Sequence, residues 1–226
     1  MIDDVHWASR HRCPACRMHL TLCLCAHVPK LATRTRVVLI LHQLEVNKTS
    51  NTGTLAMACL PNGETVMHGG RVPLVRDWSQ LSQPVLLFPH PDARPLTDWQ
   101  GSEQPVTLIV PDATWPQAIK ARRRIPGLVD VPCAVLPPED ATRNFLRASS
   151  KPGQVSTLVA IARALEVLEV DGANLRHQIE HLGAMMVDRT LWSSGRMHAD
   201  QVTGGIPAAA LVYDGESQGV KRGPRG

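Results

Sequence analysis

Apolar positions fall along the chain in short continuous runs, most of them bracketed by Pro or polar residues. "TRVVLILH" (35–42), "PVLLFP" (84–89), "PVTLIVP" (105–111) and "CAVLP" (133–137) read as strands. None alternates polar with apolar. Runs of this kind fit strands covered on both faces, as in a parallel sheet. Other stretches follow a helical period. "EVNKTSNTGTLAMACL" (45–60) reads as a loop entering a short helix near Thr52. "PQAIKARRRIP" (116–126) is a helix that starts and stops at Pro, with Ala118, Ile119 and Ile125 able to face a sheet. In "STLVAIARALEVLEV" (156–170), Leu158, Ile161, Ala162, Leu165 and Leu168 share a stripe, and Ser156 is placed to cap it. "NLRHQIEHLGAMMVDRTLW" (174–192) has a broad apolar face, while "PHPDARPLTDWQGSEQP" (89–105) reads as a loop. Strands alternating with helices predict an α/β layer fold with a mostly parallel sheet.

Composition changes this picture little. The 226 residues suit one core domain with a small appendage, and a formal charge of +4 leaves room for one basic patch. The start, "MIDDVHWASRHR", has no apolar core of a signal peptide, and no apolar run is long enough to span a bilayer. A reducing cytoplasmic setting is the expectation. The basic, Gly-rich stretch 213–226 reads as a disordered tail.

Cysteine usage changes it more. "CPACRMHLTLCLC" sets Cys13, Cys16, Cys23 and Cys25 in a C-x2-C-x6-C-x-C array. Two close pairs can complete a tetrahedron of thiolates, so a structural zinc knuckle over 1–33 is expected. An iron–sulfur cluster or a redox pair are the alternatives. Four protein ligands close the site, which makes it structural and not catalytic. Cys59 and Cys133 sit in apolar contexts and read as core residues.

Candidate chemistry concentrates in "LIVPDATWPQAIKARRR" (108–124). Asp112 follows a buried strand, where ligands of open α/β sheets bind. Pro111 and Pro116 stiffen the turn that carries Asp112, Thr114 and Trp115. Helix capping by Asp112 or Thr114, with Trp115 packed on the core, is the plain structural explanation. Lys120, Arg123 and Arg124, spaced i, i+3, i+4, share one helix face that could meet phosphates or only solvent, while Arg122 points elsewhere.

These motifs together resemble the DTW-domain family, and more narrowly the bacterial tRNA-uridine aminocarboxypropyltransferases. The resemblance rests on D-x-T-W after a strand, on "SNTG" (50–53) ahead of it, and on the C-x2-C…C-x-C knuckle. It runs from about Cys13 to Trp192, and "LRASSKPGQVSTLVAIARALE" (146–166) extends it. Two positions depart from the pattern: Gln43 stands where many relatives carry Pro, and Val159 where they often carry Glu.

The resemblance implies a SPOUT-like fold with a threaded crossing, over 34–212. It implies transfer of the 3-amino-3-carboxypropyl group of S-adenosylmethionine to N3 of a tRNA uridine, with release of 5′-methylthioadenosine. Ser50, Asn51, Thr52, Gly53, Pro111, Ser156 and Thr157 would then hold the cofactor. Asp112, Thr114 and Trp115 would be catalytic, with Asp112 either a base for N3–H or an electrostatic anchor. Lys120, Arg123, Arg124, Arg143, Arg147 and Lys151 would hold RNA, helped by Arg10, Arg12 and Arg17 around the knuckle. Trp78 and Trp99 could stack on RNA or pack. A methyltransferase of related fold and a non-catalytic zinc-knuckle RNA-binding protein are the rival readings. Monomer and homodimer both remain open.

Overall fold

The structure, a computed structural model, describes residues 11–46, 48, 51–69, 74–138 and 155–212. Ser50, Arg10, Arg143, Arg147, Lys151 and the 213–226 stretch therefore lie outside the described residues. The described chain divides into two compact units: 29–138 with 155–180, and 11–28 with 181–212.

The larger unit is built on six strands: β1 (Arg36–His42), β2 (Glu64–His68), β3 (Pro84–Leu87), β4 (Arg94–Pro95), β5 (Thr107–Asp112) and β6 (Cys133–Val135). Their order in the sheet is β2-β1-β5-β3-β6-β4. Every pairing among them is parallel. The four aliphatic runs thus became strands, as their covered-on-both-faces pattern demands. In β1, Val37 through Leu41 are all buried. At about 25 cal/mol per Å2 of apolar surface removed from water, each such side chain stabilises the sheet by roughly 1.5–3 kcal/mol.

Two strands escaped the apolar-run criterion. β2, "ETVMH", alternates exposed and half-buried positions because it is an edge strand. β4 is a two-residue strand at the opposite edge, inside the stretch expected to be a plain loop.

Helices follow the expected spans: α1 (Thr52–Ala58), α2 (Trp115–Arg124), α3 (Thr157–Leu168) and α4 (Gly172–Ser193). Alternation along the strands assigns the sheet's two faces. Val38, Ile40, Leu86, Phe88 and Ile109 form one core cluster with Ala118, Ala121 and Ile125 of α2. Ile119, expected on that interface, is 43% exposed instead, and Ala121 takes the inward position. Asp112, at the even-numbered register of β5, projects to the other face, toward α1 and α3. The threaded crossing implied by the resemblance turns on the path of 139–154, outside the described residues.

In the smaller unit, the first turns carry the cysteines and α4 supplies most of the apolar surface, with Leu182, Met185, Met186 and Trp192 buried. A short helix α5 (Ala208–Leu211) packs on the turn at Leu20–Leu22. Gly204 has φ +69°, and a Cβ there would meet the Met185 methyl at 2.5 Å, so the backbone passes close over α4.

Candidate active site and metal centre

Three sequence motifs meet at Asp112. The carboxylate is the last residue of β5 and is 8% exposed. Its Oδ1 accepts the hydroxyl proton of Thr157, the first residue of α3, at 2.6 Å. From the other side comes Gly53 in the first turn of α1. A Cβ built on Gly53 would lie 2.5 Å from Asp112 Oδ2 and 3.1 Å from the Thr157 methyl. Any larger residue at 53 would have to displace the carboxylate.

Both helix starts are capped as well as converged. Asn51 accepts from the backbone N–H of Thr54 at 2.8 Å and donates to the Glu45 carbonyl at 3.2 Å. Ser156 accepts from the N–H of Val159 at 3.3 Å. The Thr52 hydroxyl accepts from the N–H of Leu158 at 3.5 Å, a long contact that ties α1 to the first turn of α3. Gly53, Asp112 and Thr157 thus meet where the first turns of α1 and α3 lie side by side, and helix N-termini favour anionic and hydroxyl groups.

The rest of the D-x-T-W segment divides its labour. Thr114 stands at the N-cap of α2, and Gln117 Oε1 accepts from both its N–H (2.9 Å) and its hydroxyl (2.7 Å). Thr114 thus does the capping, and Asp112 does not. Trp115 is 43% exposed, with its ring centroid 6.2 Å from that of Phe88. One edge is packed and the remaining face is open to a planar partner. Pro111 is half-buried beside Ile40 in the β1–β5 register. Lys120, Arg123 and Arg124 are all exposed, whereas Arg122 bonds the Val129 carbonyl at 3.1 Å. Trp78 is buried, its indole N–H donating to the Pro126 carbonyl at 3.0 Å, and Trp99 lies under the Arg94 guanidinium at 4.8 Å. Both have protein partners.

In the smaller unit the four N-terminal thiols do converge. Their sulfurs all lie within 4.8 Å of one another, with Cys13–Cys25 at 3.5 Å and Cys16–Cys23 at 3.7 Å. A tetrathiolate zinc with bonds near 2.3 Å needs sulfur–sulfur edges of about 3.8 Å. The spacing fits. The N–H groups of Leu24 and Cys25 point at the sulfurs of Cys16 and Cys23, each at 3.5 Å, and such donors favour thiolate.

Sequence reasoning missed Arg189. It is 1% exposed, and its Nη1 donates to the carbonyls of Cys23 (2.9 Å) and Leu22 (3.3 Å). Its Nη2 lies 3.4 Å from His27 Nε2. Burial draws the basicity of the guanidinium down, while the Cys23 and Cys16 thiols act the other way. A buried guanidinium stays charged and needs a counter-charge. Four thiolates around one divalent ion would carry a net −2, and Arg189 is placed to offset it. The signal available in sequence was a lone Arg on the apolar face of α4, three residues before Trp192.

Comparison with known proteins agrees with these motifs. The DTW domain profile matches residues 10–191. A Drosophila melanogaster protein called tRNA-uridine aminocarboxypropyltransferase 2 is 29% identical over 169 residues, covering 71% of this chain and 67% of its own length. A Macaca fascicularis protein of the same name is 27% identical over 175 residues, covering 71% of this chain and 57% of its own. Both relatives are animal proteins, and the narrower likeness to bacterial members rests on the motifs. No solved structure matches the chain.

Proposed function

Since the chain belongs to the DTW-domain family, we propose that it transfers the 3-amino-3-carboxypropyl group of S-adenosylmethionine to N3 of a tRNA uridine. The observation that carries the reading is the convergence of Gly53, Asp112 and Thr157, one residue from each of three separated motifs. The names of the two relatives supply the reaction type.

In this reaction an N3–C bond replaces N3–H, a C–S bond breaks, and 5′-methylthioadenosine leaves with the electron pair. S-Adenosylmethionine supplies the electrophilic carbon on its sulfonium and the neutral leaving group. Which of the three sulfonium carbons reacts is a matter of which one faces the nucleophile. Asn51, Thr52, Gly53, Ser156 and Thr157 hold the donor at the two helix starts, in company with Ser50 and Pro111. Asp112 takes or orients the N3 proton, and its bond to Thr157 fixes the carboxylate rotamer for that task. Trp115 offers its open face to a base. Lys120, Arg123 and Arg124, with Arg143, Arg147 and Lys151, contact tRNA phosphates, which position the RNA without reading its sequence.

The cysteine cluster holds zinc in a structural role, pinning the short turns of 11–28 that carry it. Among the described residues no helix is long and apolar enough to cross a membrane. Together with tRNA as substrate and reduced thiols, that supports a cytoplasmic setting.

The test is the by-product. Protein incubated with tRNA and S-adenosylmethionine should release methylthioadenosine. Release of S-adenosylhomocysteine would establish a methyltransferase instead, and absence of turnover would leave an RNA-binding protein.

A further inference from the structure

Histidines end two neighbouring strands at the carboxyl edge of the sheet. His42 of β1 and His68 of β2 are direct partners in the parallel register. Each lies two residues beyond a side chain packed on the α2 face, Ile40 in β1 and Val66 in β2. Their side chains therefore project to the α2 face, opposite to Asp112. The ring centroids are 6.1 Å apart, edge to face.

The hydrogen bonding of this pair is one-sided. His42 Nδ1 accepts the N–H of Leu44 at 3.2 Å, so the ring proton of the neutral form sits on Nε2. Among the described residues Nδ1 of His68 is buried and has no hydrogen-bond partner. Gly69, at φ +93°, follows directly, and a Cβ there would lie 3.1 Å from His42 Nε2. Glycine keeps that nitrogen clear.

The surrounding charge is positive. Burial, then the neighbouring His42, and last the charge of Arg124, the exposed final residue of α2, oppose protonation of His68. The nearby carboxylates are occupied: Glu64 by Arg36 (2.7 Å) and Arg76 (2.6 Å), and Glu45 by Lys48 (2.6 Å). Two imidazoles, one with its N–H on the open nitrogen, and a guanidinium on one face of the sheet, beside carboxylates already paired with cations, suit an oxyanion.

We propose that His42, His68 and Arg124 bind a phosphate of the RNA substrate, on the sheet face opposite the Asp112 site. Phosphate is favoured over the cofactor's carboxylate because Arg124 belongs to the same exposed helix face as Lys120 and Arg123, while the capped helix starts lie on the other face. The site rests on the tRNA reading above and deepens it.

Two measurements test the site without turnover. In the first, tRNA and S-adenosylmethionine binding are measured separately for the wild type, for His42→Gln/His68→Gln and for Arg124→Gln. The expected result is about tenfold weaker tRNA binding and a salt slope smaller by about one per lost phosphate contact, with cofactor affinity unchanged. Unchanged tRNA binding and slope, or a loss confined to S-adenosylmethionine, overturns the site. If the wild type binds no tRNA, the wider functional reading fails instead. The second uses the unaltered protein and so does not depend on the variants folding. Titration with inorganic phosphate should shift the imidazole nitrogen resonances of His42 and His68 in heteronuclear NMR, and sulfate should compete. Resonances that stay in place overturn the proposal.

Discussion

Thr157 donates its hydroxyl to Asp112 at 2.6 Å, beside a close approach of Gly53 to the same carboxylate. That single bond joins the residue at the end of β5 to the first residue of α3, and it sets the direction in which the carboxylate can meet a substrate. Asp112→Ala should lower kcat/KM by about 10^2–10^4 while S-adenosylmethionine affinity, read by calorimetry, changes little. Asp112→Asn keeps the shape but removes base and charge together, so a rate near normal would leave only a hydrogen-bonding role, and a wild-type kcat/KM that rises with pH through a carboxylate pKa would favour the base. A near-normal rate in Asp112→Ala removes the residue from the mechanism.

Thr157→Ala should be milder. It removes one donor to the carboxylate, at a cost of about 1–3 kcal/mol, so a tenfold to hundredfold loss of kcat/KM is expected. Thr157→Ser restores the donor and most of the rate. A serine variant as impaired as the alanine one assigns the effect to the methyl that touches Gly53.

Gly53→Ala adds one carbon where 2.5 Å separates the new atom from Asp112 Oδ2. Overpacking of this kind costs about 1–3 kcal/mol. The carboxylate is the group that must move, so activity should fall by more than the melting temperature suggests. Parallel measurement of Tm and kcat/KM decides. A variant with lower Tm and intact kcat/KM would show that the close approach serves packing alone.

Chelation tests the smaller unit. Metal analysis of protein prepared under reduction should give about one zinc per chain, and its removal should unfold 11–28 with loss of helical signal from 181–193. Arg189→Met leaves the Leu22 and Cys23 carbonyls without their donor, and the metal dianion without its counter-charge. Zinc should then pass more readily to a competing chelator, and Arg189→Lys should recover part of the affinity. Equal zinc retention in Arg189→Met would reduce the residue to a packing role.

Acid should weaken the larger unit through His68. Burial, followed by the charges of His42 and Arg124, holds its pKa below the ordinary 6.5. The unfolded chain then binds more protons than the native one as pH falls through 6.5, so stability declines on acidification across that window. Above pH 7 both states hold neutral imidazole and the contribution is flat. Urea midpoints at pH 7.5 and 5.5 should differ more in the wild type than in His68→Gln. An equal difference in the two assigns the acid sensitivity to other groups.

The fold was legible wherever burial was complete on both faces. The aliphatic runs of β1, β3, β5 and β6 announce themselves because their central positions are buried whichever face they point to. β2 was not legible, since an edge strand with half-buried alternation lacks such a run. The four-cysteine cluster was legible from spacing, and its geometry fits a metal. The separate roles inside D-x-T-W were not: spacing lets either Asp112 or Thr114 cap α2, and only coordinates reveal that Gln117 engages Thr114 while Asp112 turns to Thr157. Arg189 was hidden because its partners are backbone carbonyls 166 and 167 positions away, and backbone acceptors leave no trace in side-chain identity.

Thr157 comes 45 positions after Asp112. On the ribosome, the strand bearing the carboxylate emerges well before the segment that answers it. Through that interval the nascent polypeptide has an acidic group at the end of a water-shunning strand without the Thr157 hydroxyl that bonds it in the finished fold. Truncation anywhere ahead of 157 would make the condition permanent.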